Sequence, residues 1–306
     1  MVPTRRRQRR GAVEAAAAAL LLALPAAAAP PPAAAASDGC VAPVDMQLTF
    51  AEEFERLDVS AWGPGTRWIA HTPWAGDFGR AKFTDPQKGF PFLVTNGVLR
   101  IEARRDETGR WRSGLLASVD REGNGFSQLY GYFEMRAKLP TGEGVWPAFW
   151  LIGLDRSRHT AEIDVIEFYG NRPNRYTSVV HVWPRKGKHR SWWNRNEVFT
   201  GEVRPDQFHT YGVMVDPDRI TFFFDRCPVW HTPTPPEHRQ PMYVLLNLAL
   251  GGGNQTIENT PDPSHMYVDY VRAYARKGTT PAPAAERGER TASGGDGPLR
   301  RGGGGP

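Results

Sequence analysis

The sequence predicts an all-β chain made of two packed antiparallel sheets, and three observations carry that prediction. Ten short strand-like runs recur between turn residues, no long amphipathic helical pattern competes with them, and the segment holding them is about 230 residues long, a length at which all-β folds commonly remain one domain. Many strands without alternating helices favour sheet packed on sheet over a helix-covered parallel sheet. No internal repeat divides the segment.

The runs follow in order. Residues 92–95 and 97–104 meet at Asn96-Gly97, a dipeptide suited to the positive φ of a two-residue hairpin turn. Residues 131–139 alternate Phe133, Met135, Ala137 and Leu139 with Glu134, Arg136 and Lys138, the period of a strand with one apolar face, and Pro140 closes the run. Residues 148–153 and 243–248 are further short strand-like runs, the second apolar apart from Asn247. Residues 162–168 and 178–183 are rich in Ile and Val, with the turn-forming Asn171, Pro173 and Asn174 between them. Residues 210–215 and 220–225 are separated by Asp216-Pro217-Asp218, and residues 268–275 supply the closing run.

The two ends are different material. Residues 1–29 carry five arginines, then an Ala/Leu-rich stretch and small residues, the pattern of a secretory signal. Glu14 and Pro25 shorten the apolar stretch below a membrane span. Residues 30–43 read as an Ala/Pro-rich linker, residues 44–277 as the folded domain, and residues 278–306 as a Gly/Pro-rich tail expected to be disordered. The formal charge of +5 is mostly that of the signal region, whose five arginines and one Glu contribute +4 and leave the rest near +1. The high isoelectric point is therefore no sign of nucleic-acid binding. A local exception runs from Phe168 to Asn196, with seven Lys/Arg residues and no acid. Most such runs are solvated loops, but this one contains Trp183, Trp192 and Trp193, and binding of an acidic polysaccharide is the second reading. Cys40 and Cys227 suit an oxidising compartment, as a disulfide or as two thiols.

One run is anomalous. In residues 161–170 the acids Glu162, Asp164 and Glu167 interrupt an otherwise apolar strand pattern. Glu162 and Asp164 share a face at period 2, whereas Glu167 falls on the other face unless a β-bulge between Val165 and Ile166 returns it. With that bulge the two Glu Cα atoms lie roughly 13 Å apart at about 3.3 Å per residue. Inward-leaning side chains then bring the carboxyls to about 5 Å, the separation of nucleophile and acid/base in a retaining glycosidase. Three crowded carboxylates cannot all ionise easily, which predicts a shared proton and split pKa values. Upstream, Trp146, Ala148 and Trp150 alternate on one face, two indoles with a gap for a sugar ring.

These motifs, with residues 130–140, 144–151, 208–213, 246–252 and 268–272, resemble glycoside hydrolase family 16, the bacterial endo-β-glucanase and laminarinase type, from Leu48 to Tyr274. The resemblance implies a concanavalin-like jelly-roll sandwich of two curved antiparallel sheets with a concave substrate cleft. It implies Glu162 as nucleophile, Glu167 as general acid/base, Asp164 as the residue tuning the nucleophile, and Trp146 and Trp150 as the floor of the subsites. The longer Glu-x-Asp-x-x-Glu spacing matches laminarinase-like and galactan-cleaving members rather than lichenases. His181, alternating inward with Val179 and Trp183, is expected near the cleft, either contacting sugar hydroxyls or held structurally, and Trp183 is expected to bind substrate beside it. Asn247 is expected to satisfy buried backbone groups. Asp269 and the Gly97 carbonyl match positions where family members hold a structural calcium, and oxygen ligands suit that ion. No cofactor is otherwise required.

The expected protein is a secreted, extracellular or periplasmic, monomeric endo-glycosidase acting on a β-1,3- or mixed β-1,3-1,4-glucan or a bacterial exopolysaccharide, with no nucleic-acid partner and no membrane span. Two alternatives use the same fold: a transglycosylase, and a lectin-like binding protein, which has no reason to keep the three acids beside two tryptophans.

Overall fold

The structure is a computed structural model, and it describes residues 40–41, 45–185, 192–200 and 207–278. The expected signal, nearly all of the linker, the C-terminal tail beyond Gly278 and part of the basic run lie outside the described residues.

The strands are β1 (Met46–Glu52), β2 (Val59–Ser60), β3 (Trp68–Ile69), β4 (Lys82–Phe83), β5 (Phe92–Thr95), β6 (Val98–Arg105), β7 (Trp111–Ser113), β8 (Leu115–Ala117), β9 (Ser127–Gln128) and β10 (Gly131–Lys138). They continue with β11 (Val145–Gly153), β12 (His159–Glu167), β13 (Arg175–Pro184), β14 (Trp192–Phe199), β15 (His209–Val215), β16 (Arg219–Phe224), β17 (Cys227–Pro233), β18 (Met242–Leu250) and β19 (Ser264–Arg276). A 3-10 turn, Pro236–His238, precedes β18. Two sheets result. One has nine strands in the order β14-β13-β12-β11-β18-β8-β3-β2, with β9 beside β18. The other has ten in the order β17-β16-β15-β10-β19-β6-β7-β4, with β1 on β19 and β5 on β6. Pairing is antiparallel except for the short β2-β3 and β4-β7 pairs.

The core lies between the sheets. From the nine-stranded sheet Phe149, Leu151, Ile163, Val180, Leu246 and Leu248 point inward to meet Phe133, Met135, Val213, Val268 and Val271 of the other, all with at most 1% exposure. Full burial of such a side chain stabilises by about 1.5–3 kcal/mol before entropy is counted. A second apolar cluster covers the opposite face of the nine-stranded sheet, where Ala148, Trp150, Tyr243, Leu245 and Ala249 pack with Ile69, Phe83 and the partly buried Trp74, Trp146 and Phe78. Strands β11 and β18 are thus covered on both faces, which is why residues 148–153 and 243–248 are apolar apart from Asn247.

All ten expected strands are present. Residues 192–199 depart from the solvated loop expected of the basic run: they form strand β14, paired along eight residues with β13. Its sequence hides this: Asn194, Arg195 and Glu197 are exposed on an edge strand, so no clean polar/apolar alternation survives. Cys40 and Cys227 form a disulfide, with Cα atoms 4.1 Å apart, and Val41 N–H donates to the Arg226 carbonyl beside it. The N-terminal segment is thereby tied to the start of β17.

Candidate active site

The bulge sits where the acids require it. On one side Trp150 pairs with Asp164 and Phe149 with Ile166, so Val165 has no partner on β11. On the other, Asp164 faces Val179 and Glu167 faces Thr177, so Val165 and Ile166 oppose Ser178 alone. The Ser178 hydroxyl donates to the Val165 carbonyl at 2.8 Å, satisfying an acceptor within the irregular stretch of ladder. Both Val165 and Ile166 enter the core, and the extra residue returns Glu167 to the face that Glu162 and Asp164 occupy.

Each Glu is held by an indole. Trp183 Nε1 donates to Glu162 Oε2 at 3.0 Å, and Trp146 Nε1 donates to Glu167 Oε1 at 3.2 Å. Asp164 lies between them with its Oδ2 at 3.3 Å from His181 Nε2. His181 stacks on Trp183 with ring centroids 4.5 Å apart. All three acids line a cavity of about 260 Å³ together with Trp74, Phe78, Trp150 and Asn247. Two glycines let the surrounding backbone close in. A Cβ on Gly79, which has φ +72, would sit 2.5 Å from the Leu250 carbonyl, and one on Gly252 would sit 2.2 Å from the Trp146 ring.

The electrostatics follow from crowding in a dry place. Burial, then the neighbouring Asp164 charge, pushes Glu162 up to about 8, against the Trp183 donor and His181, which lower it. Asp164 is raised well above the usual carboxylate range, first by burial and then by Glu167, while a side-chain hydrogen bond with Glu162 opposes the rise. Glu167 is raised by burial, with hydrogen bonds from Tyr169 and Trp146 working the other way. Burial lowers His181 despite the acids around it, so its imidazole is favoured neutral. The arrangement holds protons at neutral pH. Asp164, the most buried of the three at 5% exposure, is the natural carrier, and a proton it shares with Glu162 removes the charge that most opposes ionisation of that residue.

Some expected residues occupy different roles. Trp150 offers no open stacking face: it is 6% exposed, its Nε1 donates to Asn247 Oδ1 at 2.9 Å, and its ring meets Trp74 and Phe78 edge-on. It walls the cleft. Trp146 is half-buried and lies against Tyr169 at 6.2 Å. Among the described residues the exposed indoles are Trp183 and Trp193, at 39% and 53%. Asn247 does more than satisfy backbone, since it fixes Trp150 and lines the cavity. Tyr169, two residues past Glu167, was missed although it adjoins the acid motif. His238 was also missed. It is fully buried, its Nε2 lies 3.1 Å from the Glu162 carbonyl, and burial lowers it to about 4. Neutral, with the proton on Nε2, it donates to that carbonyl and braces the strand under Glu162.

The calcium expectation meets a competing arrangement. The Asp269 carboxylate is paired with the Arg136 guanidinium, while Gly97 occupies the positive-φ turn between β5 and β6 near the Glu53 carbonyl. The guanidinium engages Oδ2 of Asp269, so a cation there would compete with Arg136 for that oxygen. Among the described residues, Glu162, Asp164 and His181 are the group whose ligand atoms come within 4.8 Å of one another, and there the acids already serve the indole donor and the shared proton.

A β-sandwich with an aromatic-walled cleft, floored by three acids on a bulged strand, defines a class of glycan-handling sandwich proteins. The chain belongs to glycosyl hydrolases family 16, whose sequence profile matches residues 92–272. It is similar to the endo-1,3-1,4-beta-glycanase ExsH of Rhizobium meliloti, with 35% identity over 256 residues, 75% of this chain and 52% of that protein. It is also similar to the glucan endo-1,3-beta-glucosidase A1 of Niallia circulans, 29% identical over 263 residues, 75% of this chain and 38% of that one. Among solved structures, SCLam, a non-specific endo-beta-1,3(4)-glucanase, superposes with a TM-score of 0.63 at 25% identity, over 78% of this chain and 95% of that one. Its architecture is the jelly roll expected here. The chain spans about half the length of the curated relatives it matches first.

Proposed function

We propose that the protein is a retaining endo-glycosidase that cleaves internal β-glycosidic bonds of a β-1,3- or mixed-linkage β-glucan, or of an exopolysaccharide with such a backbone. The observation that carries this reading is the pair Glu162 and Glu167 on one face of a bulged strand, each with its own indole donor and with Asp164 between them.

In this mechanism Glu167 begins protonated, as its burial favours, and Glu162 begins ionised. A Glu162 oxygen attacks the anomeric carbon while the bond to the leaving oxygen breaks, and Glu167 gives its proton to that oxygen. The resulting glycosyl ester on Glu162 is then opened by water, whose proton passes to Glu167 and whose oxygen joins the anomeric carbon. Trp183 and the proton on Asp164 stabilise negative charge on Glu162 before attack and as it leaves. Trp146 and Tyr169 do the same for Glu167 between the two steps. Two inversions return the original β configuration. We also infer export of the protein, on the signal-like pattern of residues 1–29 and on a disulfide of the kind that persists in oxidising compartments.

The test is release of reducing ends from a panel of β-1,3-glucan, mixed-linkage glucan and bacterial exopolysaccharides by the purified full chain and by Glu162→Gln. Turnover of at least one glycan, lost in the variant, is expected. Binding without turnover, unchanged in the variant, would assign the protein to the non-catalytic lectin class instead.

A further inference from the structure

The cleft continues past Glu167 onto the last two strands of the nine-stranded sheet, where a second cavity of about 500 Å³ opens. Glu167 is the member of the acid trio that lines both cavities. Since Glu167 hands its proton to the leaving oxygen, the second cavity is where the leaving-group side of the glycan lies. Its far wall is β14. Cross-strand register sets Trp193 opposite His181 and Arg195 opposite Val179, so both project from the face that carries the acids.

The cations of this wall are not equivalent. Arg172 and Arg175 share Glu197, at 3.7 and 3.1 Å. Arg195 has no carboxylate partner among the described residues. Its guanidinium carbon lies 5.3 Å from the centroid of the exposed Trp193 ring, and its charge is near enough to favour the ionised forms of Glu167 and Tyr169. A neutral sugar offers a guanidinium only hydroxyl acceptors, whereas an anionic substituent also meets its charge. A guanidinium with one face toward an aromatic ring is weakly hydrated and presents a planar fork, the geometry that a carboxylate fills with two parallel hydrogen bonds.

We propose that Arg195 and Trp193 form a leaving-group subsite for a sugar carrying an anionic substituent, with the ring against the sugar and the guanidinium on the carboxylate. The protein then selects acidic, substituted β-glycans over neutral ones. This rests on the hydrolase reading above and, among the described cations of the basic run, singles out Arg195.

The experiment uses the full chain on one β-glucan backbone that it cleaves, unmodified and carboxymethylated to low substitution. At low ionic strength KM on the carboxymethylated form is expected to be lower by about tenfold, the worth of one charge-assisted contact at a partly exposed site. The preference collapses in about 0.5 M salt, where exposed charges are screened. Arg195→Gln brings the ratio of the two KM values to about one, and Arg195→Lys, a point charge without the fork, keeps part of the preference. Trp193→Ala weakens both forms together, separating the ring from the charge. Arg195 is exposed on an edge strand, so loss of folding does not confound the reading. Equal KM values in the unmodified protein, or a preference that survives Arg195→Gln, would overturn this inference alone. Failure to cleave any glucan, in either form, would remove the hydrolase reading and this subsite with it.

Discussion

Replacing Trp183 by Phe keeps an aromatic ring against His181 and deletes one proton donor. The deleted bond runs from the indole Nε1 to Glu162 Oε2 at 3.0 Å, from a side chain 39% exposed. A hydrogen bond to a charged acceptor contributes about 1.5–3 kcal/mol, and partial exposure places this one at the lower end, about 1.5 kcal/mol. That energy equals about one pH unit, or about tenfold in an equilibrium constant. The bond lowers the Glu162 pKa against burial and the Asp164 charge, which together push it up to about 8. Without the donor Glu162 needs a higher pH to ionise, so the acidic limb of the kcat/KM profile moves up by about one unit. The unfolding midpoint changes little, because the side chain sits at the rim of the cleft. Initial rates of reducing-end release from a β-glucan, measured across the acidic limb, supply the profile. An unmoved limb with the rate lowered equally at every pH would refute the reasoning and leave Trp183 as a stacking surface only.

Other perturbations test separate parts of the account. Glu167→Gln slows hydrolysis of an unactivated glucan by roughly 10²–10⁴, whereas an aryl glycoside with a good leaving group still loads Glu162, and added azide restores turnover by giving a β-glycosyl azide detectable by mass spectrometry. Glu162 has a higher pKa folded than unfolded, so its contribution to stability is lost as pH rises from about 4.5 to about 8. Glu162→Gln should therefore melt with the parent protein at about pH 4 and above it at about pH 9, by up to a few kcal/mol in scanning calorimetry. Arg226→Met leaves the Glu134 carboxylate, which is fully buried and accepts from Arg226 at 2.9 and 3.1 Å, without its cation. A loss of about 3–5 kcal/mol in denaturant unfolding is expected. Opening the Cys40–Cys227 disulfide, which spans 187 residues, costs at most about 5 kcal/mol in the chain-entropy view, read as a fall in unfolding midpoint under reductant.

The sheet framework was legible wherever burial imposes a pattern. Phe133, Met135 and Ala137 alternate because one face of β10 meets the core, and residues 243–248 run apolar because β18 is covered on both faces. The bulge was legible too, since three acids on a six-residue span, the outer two five apart, admit one shared face only with an extra residue between Asp164 and Glu167. Strand β14 was not, because an edge strand with solvent on both sides of much of its length carries no periodic signal. The cleft walls divide the same way. Trp146 and Trp150 stood out by spacing, but that Trp150 lies edge-on behind Trp74 and Phe78 depends on a loop about seventy residues away in sequence, whose path no local pattern encodes. Tyr169 had a readable signal, a hydroxyl two residues past an acid at the mouth of the motif. His238 had none, because it acts through a main-chain carbonyl that every residue possesses.

The central claim is double displacement through Glu162 and Glu167, and the configuration of the first-formed product tests it most directly. Proton NMR of the anomeric region during the first minutes of digestion of a soluble β-glucan, at enzyme levels that outpace mutarotation, distinguishes the two stereochemical courses. Retention predicts that the β-anomer of the new reducing end appears first and the α-anomer grows in later by mutarotation. An α-anomer appearing first would mean single displacement by water, and would contradict the assignment of Glu162 as nucleophile.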